Sequence, residues 1–249
     1  EEFKKRNVSS SLSQAVVLIT GATGGIGSAL VPLLAQAGAH LVLAARREDP
    51  LSTLAEKAVS LGAASGLGIP ADVTDYSQVE ALVNQTLQRH GRIDVLINLA
   101  GAGILKPAPQ ITPADLEQML EVNLKGSFYT SQLAANAMRE QKSGHILNFP
   151  GILGRHPMAM AAAYCAAKFG VVGFSKCMAD ELKRFGVRFT LFYFGGIDSP
   201  FWDPISLKVQ RDKMLSPTTA AEAIRFVLTL PANAVPNEVV LQPESHQFL

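Results

Sequence analysis

Two side chains able to move a proton, Tyr164 and Lys168, stand four residues apart within residues 161–185, a stretch whose pattern predicts one long helix. At this spacing both side chains lie on the same helix face, about one turn apart. A lysine ammonium beside a phenol stabilises the phenolate, so we expect Lys168 to lower the pKa of Tyr164 towards the range useful for general acid catalysis. The pair alone also fits an ordinary surface helix, so the interpretation depends on the elements that position it.

The first of these elements is a glycine-rich turn with the sequence Thr20-Gly21-Ala22-Thr23-Gly24-Gly25-Ile26-Gly27. An apolar run, residues 15–19, precedes the turn and predicts a buried strand, and an amphipathic stretch, residues 26–37, follows it and predicts a helix. Glycines permit a tight turn and let backbone N–H groups approach a ligand, while a helix N-terminus adds partial positive charge. This arrangement predicts a pyrophosphate-binding site, although an ordinary strand-to-helix turn can have the same composition.

Strands and helices alternate along the chain from residue 15 to residue 241. This alternation predicts an α/β fold: a Rossmann-like, doubly wound parallel sheet in one domain, with helices on both faces. Thr112, followed by Pro113 and Asp115, marks a helix start, and we expect a long helix that extends towards Arg139 and contains Asn123.

The composition argues against several function classes. The 22 Lys and Arg nearly balance the 21 Asp and Glu, and no basic cluster stands out, so nucleic acid is not expected as a partner. No apolar run approaches the roughly 18 residues that span a bilayer, and no secretory segment precedes the first strand, so we expect no membrane partner and a cytoplasmic location. The two cysteines have no histidine near them in sequence, so no metal site is predicted.

Five motifs together resemble the short-chain dehydrogenase/reductase family in their order and approximate spacing. They are residues 20–27, Asp72-Val73, Asn98 with Ala100-Gly101, Asn123, and Tyr164 with Lys168. The resemblance covers residues 16–241 and implies one dinucleotide-binding domain, residues 15–249, with a nicotinamide dinucleotide across the C-terminal edge of the sheet. Residues 1–14 are polar and serine-rich and are expected to form a flexible N-terminal leader.

The resemblance also implies roles for individual residues. Tyr164 would be the general acid/base, Lys168 would bind the nicotinamide ribose and tune the tyrosine, and Asn123 would hold a water that relays protons. Asp72 would contact the adenine, and Asn98 would help fix the fourth strand beside the cofactor. The full set expected to bind the cofactor is Thr20, Gly21, Thr23, Gly24, Gly25, Ile26, Gly27, Arg46, Arg47, Asp72, Val73, Asn98, Ala100, Gly101, Tyr164, Lys168, Gly195, Ile197 and Ser199.

The residues after the second predicted strand indicate which dinucleotide binds. A carboxylate there would hydrogen-bond a ribose 2′-hydroxyl and repel a 2′-phosphate. This chain instead reads Ala44-Ala45-Arg46-Arg47, and a guanidinium suits a phosphate in both charge and geometry. We therefore predict NADP as the cofactor, with NAD less favoured, Arg46 as the main contact and Arg47 as the secondary one.

The chain departs from the family pattern at the catalytic serine. Counting thirteen residues back from Tyr164 reaches Gly151, and no serine or threonine lies between Ser143 and Tyr164. Loss of one hydrogen-bond donor at a reacting oxygen costs about 10²- to 10³-fold in rate. Either a water or another side chain supplies that contact, or the site is impaired.

The predicted function is an NADP(H)-dependent oxidoreductase that interconverts a carbonyl and an alcohol. The alternative is a cofactor-binding regulatory or assembly protein with impaired or no catalysis, which Gly151 favours; a lyase or isomerase is a third, weaker possibility. The expected substrate walls, residues 101–109, 152–160 and 199–215, contain Met158, Met160, Phe201 and Trp202. They predict a small apolar or aromatic substrate.

The two long predicted helices carry many small residues, including Gly126, Gly170 and Gly173. Small side chains let helices approach closely, and proteins of the resembled family commonly pair through these helices. We therefore expect a two-fold homodimer, which sheet-edge contacts could double to a homotetramer.

Overall fold

The computed structural model describes residues 12–231 and 233–248, which contain a seven-stranded parallel sheet. In chain order the strands are β1 (Val16–Thr20), β2 (His40–Ala45), β3 (Ser65–Pro70), β4 (Val95–Asn98), β5 (Gly144–Asn148), β6 (Val187–Phe194) and β7 (Glu238–Leu241). The helices are α1 (Gly25–Gln36), α2 (Glu48–Ser60), α3 (Tyr76–His90), α4 (Pro113–Met119), α5 (Gly126–Gln141), α6 (Ala162–Leu182) and α7 (Pro217–Thr229). None of these helices is both long and apolar enough to cross a membrane.

The spatial order of the strands is β3-β2-β1-β4-β5-β6-β7. Helices α1, α2 and α7 cover one face of the sheet, while α3, α5 and α6 cover the other. The prediction of a doubly wound parallel sheet with helices on both faces is therefore confirmed. The chain order reverses between β1 and β4, where a parallel sheet of this kind opens a crevice at its C-terminal edge.

Burial on both faces explains why β1 could be found in the sequence. All five of its residues are buried. Val17 and Ile19 join the core cluster under α1 and α7, whereas Leu18 joins the cluster under α3 and α5. Because successive side chains of a strand point to opposite faces, a strand covered on both faces is an unbroken apolar run.

The ends of α3 and α4 lie where local signals in the sequence indicate. Asp75 caps α3 by accepting hydrogen bonds from the backbone N–H groups of Ser77 and Gln78. Thr112 and Asp115 form a capping box at the start of α4. Each cap satisfies backbone donors that a helix start leaves unpaired, so these boundaries depend on neighbouring residues alone.

The long helix predicted from Pro113 towards Arg139 is present as one continuous helical stretch, but its middle is π-helical. After α4, residues Leu120–Lys125 form a π-helical segment, and α5 follows it. Asn123 lies in this segment, and its Nδ2 donates to the carbonyl oxygen of Met119 at 3.1 Å. A side chain that enters the backbone hydrogen-bond ladder distorts a helix locally. This contact of Asn123 accounts for the π-helical segment.

The folded domain includes residues that the sequence assigned to the flexible leader. Leu12 is buried in the cluster under α1 and α7. The backbone N–H of Gln14 donates to the carbonyl oxygen of Gly38 at 2.9 Å. Residues 12–14 therefore belong to the domain, because burial of the apolar Leu12 side chain stabilises the folded state. The rest of the expected leader, residues 1–11, lies outside the described residues.

Candidate active site

The glycine turn between β1 and α1 has the shape of a phosphate cradle. Gly21 has a φ of +66°, and a Cβ added there would lie 2.6 Å from the backbone nitrogen of Ala100. A Cβ on Gly27 would lie 2.5 Å from a backbone oxygen of the same turn, so α1 starts directly against it. Among the described residues no side chain caps α1, which leaves the backbone N–H groups of its first turn free to bind an anion. The turn therefore fits the pyrophosphate of a dinucleotide.

The segment after β6 crosses this turn. A Cβ on Gly25 would lie 2.6 Å from Cβ of Ser199, so the two backbones are in close contact. The backbone N–H of Gly195 donates to the carbonyl oxygen of Leu241 at 2.8 Å, and Ile197 is buried. The structure thus brings Ser199 to the glycine turn, whereas Gly195 is bonded to the end of β7 and Ile197 pairs with Leu215.

Arg46 and Arg47 are exposed between the end of β2 and the start of α2. Strand β2 pairs with β1, and Ala44 lies in register with Thr20. Both arginines therefore lie at the C-terminal edge of the sheet, beside the strand that leads into the glycine turn.

Asp72 and Val73 follow β3 at the same edge. The Asp72 carboxylate accepts hydrogen bonds from the backbone N–H and the hydroxyl of Thr74, at 2.9 and 2.8 Å. Val73 is buried, and its Cγ2 would lie 2.6 Å from a Cβ added to Gly126 at the start of α5. Asp72 is thus held by hydrogen bonds within its own turn, and Val73 is held by packing against the start of α5.

A buried polar network lies beneath the site. Asn98 Nδ2 donates to Asn148 Oδ1 at 2.8 Å, and Asn98 Oδ1 accepts from the Thr130 hydroxyl at 2.7 Å. Asn148 Nδ2 donates to Ser175 Oγ at 2.8 Å, and all four side chains are buried. The network ties the ends of β4 and β5 to α5 and α6. Sequence reasoning identified Asn98 but missed its partners, because single polar residues in apolar elements carry no spacing signal.

Thr20, Thr23 and Ile26 complete the glycine turn. The buried Thr20 hydroxyl donates to Asn98 Oδ1 and accepts from the backbone N–H of Ala100, each at 3.4 Å. Thr23 and Ile26 are half-buried. The turn and the loop after β4 are therefore connected to the buried network through one hydroxyl.

Asn123 holds the loop after β4. Its Oδ1 accepts from the backbone N–H of Ala102 at 3.3 Å, and its Nδ2 donates to the Ala102 carbonyl oxygen at 3.0 Å. A Cβ on Gly101 would lie 3.1 Å from Asn123 Oδ1 and 3.9 Å from Lys168 Nζ. The loop thus passes close to both side chains. These contacts make Asn123 a positioning residue, while its expected role in holding a water stays a prediction.

Tyr164 and Lys168 share one face of α6. Lys168 Nζ lies 5.4 Å from the centroid of the Tyr164 ring and donates to the Phe149 carbonyl oxygen at 3.0 Å. Burial lowers the pKa of Lys168 to about 8. Burial also raises the pKa of Tyr164, with a smaller contribution from Cys165.

The prediction that Lys168 lowers the pKa of Tyr164 is therefore wrong for this structure. The ammonium lies over the ring and its hydrogen bond goes to a backbone carbonyl, so it does little for a phenolate oxygen. Burial disfavours the charged form of both groups and is the larger effect. Tyr164 remains protonated at neutral pH, which is the state that a proton donor needs.

Gly151 has a backbone conformation that residues with side chains avoid. Its φ and ψ are 63° and 176°, and its N–H donates to the Phe192 carbonyl oxygen at 3.1 Å. The nearest heavy atom to an added Cβ would be the Phe194 carbonyl oxygen at 3.6 Å. Space for a side chain is therefore available, but the main chain disfavours one. The main-chain conformation at residue 151 therefore disfavours a serine there.

Residues from all three segments expected to wall the substrate gather around Tyr164. They form a hydrophobic cluster with it, made of Leu105, Leu153, Met158, Ala161, Cys165, Trp202, Ile205 and Leu207. Every member is apolar apart from the tyrosine hydroxyl, the thiol and the indole N–H. The phenol thus lies against a partly buried, mostly apolar surface, which favours uncharged ligands.

Known proteins share this fold. Residues 15–210 match the family model described as short chain dehydrogenase. An uncharacterized oxidoreductase of Staphylococcus aureus (strain N315) is 32% identical over 232 residues, which cover 93% of this chain and 98% of the relative.

Two solved structures are similar along nearly their whole length. One is a metagenomic short-chain oxidoreductase in complex with NADP, with 31% identity and a TM-score of 0.82 over 94% of this chain and 99% of that one. The other is an alcohol dehydrogenase from the archaeon Thermococcus sibiricus complexed with 5-hydroxy-NADP, with 27% identity and a TM-score of 0.87 over 95% of this chain and 100% of that one. The chain therefore belongs to the short-chain dehydrogenase/reductase family of oxidoreductases.

We expect Asn98→Leu to lower the free energy of unfolding by about 1–3 kcal/mol, because it leaves buried partners of the network unpaired. The matched control is Asn84→Leu on the exposed face of α3, which should change that free energy by less than about 0.5 kcal/mol. Urea unfolding followed by circular dichroism measures both. Equal effects of the two substitutions would contradict the importance assigned to the network.

Proposed function

We propose that the protein is an NADP(H)-dependent oxidoreductase that interconverts a carbonyl and an alcohol, with Tyr164 as general acid/base. The observation that carries this proposal is the position of Tyr164. The phenol lies in an apolar cluster, one helical turn from Lys168, at the sheet edge that also carries the glycine turn. Geometry of this kind suits proton transfer to an oxygen held away from water.

The roles of the chain's own residues follow from their contacts. Residues 20–27 would bind the pyrophosphate, and Lys168, beside Gly101, would bind the nicotinamide ribose. When bound, the nicotinamide dinucleotide supplies or accepts the hydride. In the reducing direction Tyr164 gives its proton to the carbonyl oxygen, and in the oxidising direction it takes the proton of the alcohol. The raised pKa of Tyr164 keeps the phenol protonated at neutral pH.

Gly151 supports the second candidate, a protein that binds the dinucleotide without efficient catalysis. The serine expected at this place would give the substrate oxygen a second hydrogen bond, and the backbone of Gly151 disfavours any side chain there. An active enzyme must therefore obtain that contact from a water, from another side chain or from a hydroxyl on the substrate. The two candidates differ in whether any carbonyl compound is turned over.

Tyr164→Phe should abolish NADPH-dependent reduction of ketones and aldehydes, by about 10²-fold or more, because it removes the proton donor and keeps the ring. NADPH affinity, measured by fluorescence titration, should remain nearly unchanged. Tyr76→Phe, at an exposed tyrosine on α3, is the matched control and should leave turnover intact. Wild-type protein that binds NADPH but reduces no compound of the panel would favour the second candidate. Turnover that survives Tyr164→Phe would refute the assignment of the acid.

The preference for NADP is part of the proposal and is supported by the exposed arginines after β2. Arg46→Ala should weaken NADPH binding by about 10- to 100-fold, the factor expected for losing a charged hydrogen bond to the 2′-phosphate. NADH, which lacks that phosphate, should bind Arg46→Ala as it binds the wild type. Arg89→Ala, at an exposed arginine on α3, is the control. Equal dissociation constants of the wild type for NADPH and NADH would contradict the proposal.

A homodimer through α5 and α6 is the assembly we propose, with a homotetramer as its possible extension. Gly126 and Gly170 lie against side chains of their own chain, so they do not support it. Gly173 does, because no described atom lies within 4 Å of a Cβ added there, and Phe169 on the same helix is 44% exposed.

Light scattering at micromolar concentration should give the mass of a dimer or tetramer, and Gly173→Arg should shift it towards the monomer. A bulky charged side chain at a close helix contact would prevent pairing. Ser52→Arg on the exposed face of α2 is the control and should leave the mass unchanged. A monomer mass for the wild type would rule out the dimer.

A further inference from the structure

The ring of Phe201 fills a narrow space in front of Tyr164. The two ring centroids lie 5.9 Å apart, with an angle of 58° between the ring planes. On the opposite side, a Cβ added to Gly103 would lie 2.3 Å from Cζ of Phe201 and 2.7 Å from Cε2. The ring therefore fits between the loop after β4 and helix α6 only because residue 103 has no side chain. We call this space the Phe201 slot.

The backbone that carries Phe201 is fixed on both sides of it. The N–H of Asp198 donates to the Leu215 carbonyl oxygen at 2.9 Å, which closes the neck of the loop. On the other side, Trp202 Nε1 donates to the Ile197 carbonyl oxygen at 2.9 Å. The Phe201 side chain itself carries no polar group. The loop backbone is therefore held by hydrogen bonds on both sides of Phe201, whereas the Phe201 ring is held by packing alone.

The surroundings of the slot define what can replace the ring. Tyr164 and Trp202 contribute aromatic surface, and the rest of the cluster around them is aliphatic or sulfur-containing. A charged group would lose its hydration there without an ionic partner, which is costly. A flat aromatic ring is the shape that the slot already accommodates, and aromatic neighbours add stacking energy to its burial.

We propose that the Phe201 slot is the subsite for a planar aromatic ring of an uncharged substrate, and that binding of that ring displaces the Phe201 side chain. The carbonyl or carbinol carbon would be attached directly to the ring, which brings its oxygen to the hydroxyl of Tyr164. Phe201 is thus a specificity-determining residue that covers the subsite in the free protein. The carbonyl chemistry rests on the proposed function, whereas the binding of the ring does not.

Trp202 allows the subsite to be tested without turnover. It is the single tryptophan of the chain, and its ring contacts that of Phe201 edge to face, with centroids 5.3 Å apart. Displacement of Phe201 should therefore change the tryptophan emission. The probes are 1-phenylethanol and 1-cyclohexylethanol, which have the same connectivity but differ in the thickness of the ring. Each is titrated into the protein without NADP⁺, so that neither alcohol can be oxidised during the measurement.

The phenyl alcohol should bind at least about fivefold more tightly than the cyclohexyl alcohol, because the thicker ring overpacks the slot. Phe201→Ala should bind the phenyl alcohol roughly 2- to 10-fold more tightly than the wild type, since no aromatic pair has to be broken first. Gly103→Ala should weaken its binding, because the added methyl group fills the end of the slot. Phe226→Ala, at an exposed phenylalanine on α7, should change nothing.

Equal affinities for the two alcohols would overturn the proposal. Weaker phenyl binding in Phe201→Ala would do the same, because it would make Phe201 a fixed wall of the site. A phenyl preference in a protein that reduces no ketone would refute the proposed function and leave the slot in place. Ketone reduction without a phenyl preference would support the proposed function and refute the subsite.

Discussion

The hydrogen bond between the side chains of Asn98 and Asn148 is the contact on which the geometry of the site depends. The two residues are in register at the ends of β4 and β5, and their amides connect onward to α5 and α6. An unpaired amide in this buried position would be costly, so few alternative arrangements of these elements are available. The loop that contains Gly101 and the helix that carries Tyr164 are consequently held at a fixed separation.

Burial, more than the contact between them, sets the protonation of Tyr164 and Lys168. It raises the pKa of the Tyr164 phenol and lowers the pKa of the Lys168 ammonium group. Where burial reduces screening by water, a charge placed near either group would act on it more strongly than at the protein surface.

The sequence was sufficient for features that depend on neighbouring residues. Apolar runs located the strands, Asp75 and Thr112 located helix starts, and the family motifs placed Tyr164 and Lys168 on one helix face. The π-helical segment could not be foreseen, because it depends on contacts of Asn123 with its own helix and with Ala102, which lies 21 residues earlier.

Contacts between distant segments account for the other differences. The amide of Asn148 meets Ser175 across two elements, and the effect of Lys168 on Tyr164 depends on a carbonyl oxygen that α6 does not contain. The sequence identified Gly151 as a departure from the family pattern but gave no sign of its positive φ.

The positive φ of Gly151 limits how the site can change by substitution. A Gly151→Ser substitution would place a serine at the family's position, yet its hydroxyl would stand on a main chain whose positive φ favours glycine. A return to the family's serine would require the Phe149–Ile152 backbone to be reshaped as well, so the two states are separated by more than one mutational step.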